Sequence, residues 1–311
     1  MNPVSPLQKV DNSLLKVADI KLYIKRDDLI HPLISGNKWR KLKYNIQDFK
    51  ENNKRHLLSF GGAFSNHLLA LAAISNKENI PASILVRGDG FDPSNQTLVL
   101  AKKLGLNMHF VSRQEYKLRH DADYQKAKLS ELNCDYLIPE GGTNDMALKG
   151  CGEIIGEIKA QLGYHADLVA LAAGTGGTSA GLLKSSQGSN IITFPALKGG
   201  FLKNDILKLA GENQDMLIFV DDYHFGGYVK FNDKLIDFIK QFHSDFNILL
   251  DPIYTSKMMF GLFDMIEKGL ITKGSTVVAI HTGGLQGNFG FNYRFGNKIP
   301  NPDYPEMKEA L

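Results

Sequence analysis

Ser35-Gly36-Asn37-Lys38-Trp39-Arg40-Lys41-Leu42 is a small-residue turn that runs straight into a helix and sets a lysine in its first turn. From Trp39 the apolar residues recur at Leu42, Ile46 and Phe49, the spacing of an amphipathic helix, while Arg40, Lys41 and Lys43 fall on other faces. Asn37 has the chemistry of an N-cap. A cation there meets the positive end of the helix dipole, and the basic neighbours add to it, so the charged form of Lys38 is disfavoured. A neutral amine is a nucleophile, which a free lysine near pKa ~10.4 is not at neutral pH. Taken alone, the stretch also reads as a solvated basic face, so the rest of the chain has to decide.

Outward from this turn, strands and helices alternate. Residues 20–25 alternate like a strand before the turn, and Leu57 to Phe60 is a second strand, closed by Gly61-Gly62-Ala63-Phe64-Ser65-Asn66-His67. Strand patterns follow at Ile80 to Val86, Met108 to Val111, Leu168 to Ala172 and Thr276 to Ile280, and helix patterns at Gln96 to Leu104, Tyr124 to Leu132, Leu148 to Leu162 and Met258 to Lys268. Such an order makes an α/β fold with parallel sheets. We expect a larger domain from 1–34 and 149–311, and a smaller one from 35–148. Pro300 to Leu311 reads as a loosely held polar tail.

Several strand ends carry polar clusters, where open α/β sheets bind ligands. Ser65 and Asn66 at a helix start suit a carboxylate, although simple capping explains them as well, and His67 alone reads as a structural histidine. Gly174-Thr175-Gly176-Gly177-Thr178 lets backbone approach an anion and adds hydroxyl donors, which suits a phosphate. A nicotinamide-dependent oxidoreductase is the rival reading of that loop. It wants glycine at Ser179 and an acid ~20 residues on, where Phe194 to Lys198 offers none. The aromatic loop Asp221 to Tyr228 reads as a packed turn.

Composition narrows the classes. The 311 residues include 43% apolar and 22% charged, enough for a large core, and 36 basic against 33 acidic residues leave a net +3 too balanced for a nucleic-acid partner. Cys134 and Cys151 lack metal or disulfide spacing, so no metal is expected and a reducing cytoplasm is. No run reaches the ~18 apolar residues of a membrane span.

The ordered set Ser35-Gly36-Asn37-Lys38, Gly61 to His67, Gly174 to Thr178, Asp251-Pro252-Ile253-Tyr254-Thr255 and His281-Thr282-Gly283-Gly284 resembles the D-cysteine desulfhydrase and 1-aminocyclopropane-1-carboxylate (ACC) deaminase family. The resemblance spans about residues 20–290. It implies pyridoxal 5'-phosphate (PLP) as cofactor and the two-domain PLP fold type II of tryptophan synthase β, with three αβα layers and open twisted sheets. Lys38 then carries the cofactor as a Schiff base, Gly174, Thr175, Gly176, Gly177 and Thr178 hold its phosphate, and Asn66 contacts its phenolic oxygen. Ser65, Asn66 and His67 hold the substrate carboxylate, and Tyr254 and Tyr228 are the active-site tyrosines.

Within the family, ACC deaminases carry glutamate and leucine where Thr255 and Thr282 stand here. These threonines side with the desulfhydrases. A neutral hydroxyl beside the pyridine nitrogen leaves a weaker electron sink than a carboxylate, which suits rapid loss of a β leaving group. The expected course is Cα-proton removal by the released Lys38 amine, expulsion of the β thiol, and hydrolysis to pyruvate and ammonia, the work of a lyase or, counting the water, a hydrolase. ACC ring opening is the second expectation, a non-catalytic PLP and amino-acid binding protein the third, and a homodimer the expected assembly. Ser256 and Leu285-Gln286 depart from the family's usual glycine and its usual small residue followed by proline.

Overall fold

The computed structural model describes residues 4–211 and 213–308. Its strands are β1 (Leu7–Val10), β2 (Lys21–Lys25), β3 (Leu57–Gly62), β4 (Ala82–Arg87), β5 (Asn107–Val111), β6 (Tyr136–Leu137), β7 (Leu168–Ala173), β8 (Asn190–Pro195), β9 (Leu217–Phe219) and β10 (Thr276–Ile280). The helices are α1 (Ser13–Ala18), α2 (Asn37–Glu51), α3 (Asn66–Glu78), α4 (Gln96–Lys103), α5 (Ala122–Glu131), α6 (Asp145–Leu162), α7 (Gly177–Lys184), α8 (Phe201–Ala210), α9 (Asp233–Phe246), α10 (Thr255–Glu267), α11 (Gly287–Phe295) and α12 (Pro305–Lys308).

Six strands form one sheet in the order β1-β2-β10-β7-β8-β9, and four form a second in the order β5-β4-β3-β6. All neighbours are parallel except β1 with β2. In β7 every residue from Leu168 to Ala173 is buried, as in β10 from Thr276 to Ile280, because helices cover both faces of a parallel sheet. Two apolar clusters sandwich the larger sheet, one through Ile24, Ala170 and Met258 and the other through Val169, Leu171 and Ile154. The parallel sheets are those expected from the strand and helix order, and the three layers are those the resemblance implied.

Sequence patterning passed over β1, α1, α8, α9 and α11. β1 is a four-residue edge strand, too short to show alternation. Helix α9 does carry its signal, since Leu235, Ile236, Ile239 and Phe242 are buried at helical spacing. The tail corrects an expectation: Met307 is buried in the core of the smaller sheet, and Asn292 donates to Asn301 at 2.9 Å, so residues 300–308 are held down. Residues 309–311 of that tail lie outside the described residues. Among the described residues no helix is long and apolar enough to cross a membrane.

Candidate active site

Two glycine-rich loops meet at the start of α2. Gly36 has φ 59° and ψ −132°, and a Cβ there would lie 1.9 Å from the Thr282 carbonyl oxygen. Only a residue without a side chain lets the Lys38 turn rest on the loop after β10. The Asn37 amide donates to that oxygen at 3.2 Å. Gly283, at φ 75°, meets Ser35 in the same way, with its Cβ position 2.1 Å from Ser35 Oγ.

Asn37 is therefore not the N-cap. Gly36 takes that place, and Asn37 is the first helical residue. Its Nδ2 donates to Thr178 Oγ1 at 2.9 Å, while its Oδ1 accepts from Lys38 Nζ at 2.9 Å. The half-buried lysine is thereby tied to the glycine loop rather than directed to solvent. Burial pushes Lys38 down to about 7, and the charge of Lys41 pushes the same way. The near-neutral amine was foreseen from the helix dipole and neighbouring cations; desolvation is the larger cause.

The basic residues of α2 are not a solvated face either. Arg40 is buried and donates to Asp27 Oδ1 at 2.8 Å and to Glu157 Oε2 at 2.9 Å. Lys41, also buried, reaches Gly141 O and Thr143 Oγ1 at 3.1 Å and Thr175 Oγ1 at 3.3 Å. Among the described residues it forms no ion pair, so the neutral oxygens around it leave its charge uncompensated, and burial lowers its pKa.

That uncompensated cation faces the loop from Gly174 to Thr178. Gly176 has φ 77°, and a Cβ on Gly177 would lie 2.8 Å from Thr143 and 3.0 Å from Lys41 Nζ. The loop opens α7 at Gly177, whose first amides have no intrahelical acceptors. A buried ammonium, free amides and hydroxyls around a small-residue cradle fit a phosphate dianion. The sequence reading missed Lys41 and Thr143. Lys41 was within reach of it, since it stands three residues after Lys38 on neighbouring helix positions.

On the other wall, Ser65 caps α3 by accepting from the His67 amide at 3.1 Å. The Asn66 amide lies against Gly284, whose Cβ position is 2.6 Å from Nδ2, and Gln286 Nε2 donates to Asn66 Oδ1 at 2.8 Å. His67 is turned into the core. Its Nε2 meets Ser59 Oγ at 2.8 Å, and that hydroxyl donates to Ile138 O at 2.7 Å. The hydroxyl proton being spent, Nε2 carries the ring hydrogen and Nδ1 is the free acceptor. Burial, then Lys38 and Lys41, push His67 down to about 3, so the ring is neutral. Its side chain is thus structural where a substrate contact was expected.

Tyr254 lies against the glycine loop, with its ring edge 3.1 Å from the Gly174 Cβ position. Tyr228 stacks edge-on against it at 6.2 Å. Burial raises both phenols, Tyr254 far above its ordinary range, although Tyr228 as a residue is 41% exposed. The loop that bears Tyr228 is a packed turn as expected, held by Lys257 Nζ, which donates to His224 O and Gly227 O at 2.8 Å each. Thr255 is fully buried, and its hydroxyl donates to Asp251 Oδ1 at 2.7 Å and accepts from the Asp251 amide at 2.9 Å. Both Asp251 oxygens are occupied, Oδ2 by the amides of Ile253 and Tyr254. Thr282 is buried with its carbonyl on the Lys38 turn.

The structure thus links Lys38, Gly174 to Thr178, Thr282, the loop against Asn66, Tyr254 and Tyr228 through a chain of contacts. Among the described residues no group of three or more His, Cys, Asp or Glu is placed to hold a metal.

Comparisons with known proteins identify the family. Residues 3–198 match the family described as "Pyridoxal-phosphate dependent enzyme". A putative ACC deaminase of Pyrococcus abyssi is 31% identical over 310 residues, covering 93% of this chain and 91% of that protein. The bifunctional D-cysteine desulfhydrase/ACC deaminase, mitochondrial, of Arabidopsis thaliana is 30% identical over 292 residues, covering 86% of this chain and 73% of that one. A crystal structure of an ACC deaminase homologue superposes with a TM-score of 0.80 at 26% identity, covering 99% of this chain and 94% of the other. Threonine deaminase of Solanum lycopersicum, at 18% identity and a TM-score of 0.66, shares the fold. With a lysine of depressed pKa beside a glycine-rich loop that fits a phosphate, and relatives of this kind along nearly its whole length, the chain belongs to the pyridoxal-phosphate-dependent enzymes, in the family of the ACC deaminases and D-cysteine desulfhydrases.

Proposed function

We propose that the protein is a PLP-dependent lyase that eliminates the β substituent of a small amino acid, with D-cysteine as substrate and pyruvate, ammonia and sulfide as products. Lys38 Nζ is the group that takes the Cα proton, since burial keeps a substantial part of it unprotonated at neutral pH. The bound cofactor supplies the electron sink for the charge left at that carbon. Lys41, Thr175, Thr178 and the opening amides of α7 would hold its phosphate, and Asn66 Nδ2 would donate to its phenolic oxygen. Ser65 and the start of α3 receive the substrate carboxylate.

The observation that carries the elimination reading is Thr255. It stands where the ACC deaminases present glutamate, and the nearby carboxylate, Asp251, is saturated by donors of its own turn. A ring nitrogen placed there meets no free carboxylate, and a weaker sink favours loss of a good leaving group over prolonged charge delocalisation. Tyr254 and Tyr228, with raised pKa values, stay protonated and serve as proton donors. The Cβ–S bond breaks by elimination and water enters afterwards, so the enzyme is a lyase rather than a hydrolase.

The second reading, ACC ring opening to 2-oxobutanoate and ammonia, is favoured by the names of the Pyrococcus relatives. Assay of PLP-loaded protein on D-cysteine, L-cysteine and ACC separates them: sulfide and pyruvate from D-cysteine are expected. Exclusive 2-oxobutanoate from ACC would overturn the elimination reading, and full loading without turnover would leave a binding protein. The two sheets support the division into 1–34 with 149–311 and 35–148. The free, buried Cys134 and Cys151 support a reducing compartment. A homodimer is proposed from the resemblance alone.

A further inference from the structure

The half-buried Asn66 and the buried Gln286 form an amide pair at the wall shared with the Lys38 turn. Gln286 is 3% exposed, and its Nε2 donates to Asn66 Oδ1 at 2.8 Å. An amide has one oxygen and one nitrogen, so engaging the oxygen fixes which atom faces the other way. Asn66 Nδ2 lies against Gly284 and makes no hydrogen bond with the protein among the described residues, while Gln286 Oε1 is buried without a partner. Gly284 belongs to the loop on which Gly36 and Asn37 rest through Thr282.

We propose that Gln286 is a positioning residue, which locks the Asn66 amide with its N–H side toward the cofactor's phenolic oxygen. The proposal rests on Asn66 facing that oxygen. A donor there stabilises an oxyanion, whereas an amide turned over would present a lone pair and repel it. The selectivity comes from the one donor that Gln286 supplies to Asn66 Oδ1.

The test is Gln286→Glu, which keeps size and shape. Its carboxylate only accepts, so Asn66 must turn its Nδ2 to residue 286 and its Oδ1 to the cleft. The expected result is a dissociation constant for PLP, measured on reconstituted apoprotein by equilibrium dialysis, weakened on the order of tenfold at pH 8, the range for one hydrogen bond to a charged oxygen. The weakening should shrink as pH falls and the new carboxyl becomes protonated and able to donate, while the wild type shows no such recovery. Gln286→Leu, which leaves the amide free to turn, should fall between wild type and Gln286→Glu. Asn66→Ala separates the two claims. If Asn66→Ala binds PLP as wild type does, the reading of Asn66 fails and the proposal with it. If Asn66→Ala weakens binding while Gln286→Glu matches wild type at every pH, the proposal alone is overturned. Circular dichroism of each apoprotein confirms that the comparison is between folded chains.

Discussion

Gly36→Ala is the substitution in which backbone geometry and catalysis are most tightly joined. The φ of 59° and ψ of −132° lie in a region that costs a side-chain-bearing residue ~1–3 kcal/mol. The added Cβ would stand 1.9 Å from Thr282 O, where ordinary contact begins at 3.4 Å, so the two segments must part by about 1.5 Å. Parting them also breaks the Asn37 N–H bond to Thr282 O, worth about 1 kcal/mol. The sum, ~2–4 kcal/mol, is below the stability of an ordinary domain, so the chain should fold with the Lys38 turn lifted from its seat. A displacement near 1 Å at the reacting amine is expected to lower kcat/KM by ~10²-fold. Steady-state kinetics, with far-UV circular dichroism as the folding control, measures this. Gly156→Ala is the matched control, since a Cβ there meets nothing within 4 Å. A folded Gly36→Ala enzyme with kcat/KM within a factor of a few of wild type would refute the claim that this contact sets the position of Lys38.

Three further expectations follow from the same geometry. Lys41→Met removes the buried cation from the cradle and should weaken PLP retention by roughly tenfold to a hundredfold, measured by dialysis of the holoprotein, because a charge-assisted contact to phosphate is lost. Glu157→Leu deprives both Arg40 and Lys25, the latter at 2.8 Å, of a shared carboxylate, and urea titration should show a loss of about 3–5 kcal/mol. Acid should destabilise the fold through His67. The unfolded ring takes a proton near 6.5 and the folded ring only at about 3, so stability falls as pH drops through that window, by at most ~1.4 kcal/mol per pH unit, and His67→Asn should flatten the slope.

Much of this was legible before the structure. The turn at Lys38 and the loop at Gly174 to Thr178 are local features, in which small residues precede a helix, and sequence order alone suffices to place them. Gly283 and Gly284 were visible as a motif, but not the reason for them, which is contact with Ser35 and Asn66 from distant parts of the chain. Lys41 and Arg40 read as one basic surface in the sequence. In space they part, Arg40 turning to Asp27 and Glu157 and Lys41 to the phosphate cradle, because each is matched by oxygens that only tertiary folding supplies. His67 shows the reverse case: the family resemblance implied a substrate contact, whereas the residue read alone as a structural histidine, and the buried Ser59 hydroxyl claims its side chain. Thr255 was correctly picked out as a neutral residue, yet its engagement with Asp251 could not be foreseen from a pair four residues apart.

The account rests on Lys38 as the lysine that holds the cofactor. Borohydride reduction of the holoprotein followed by peptide mass mapping reads that directly. A phosphopyridoxyl group on the peptide containing Lys38, absent from the Lys38→Ala variant, is the predicted result; the same group on Lys41, or no adduct on a protein that had bound the cofactor, would contradict it.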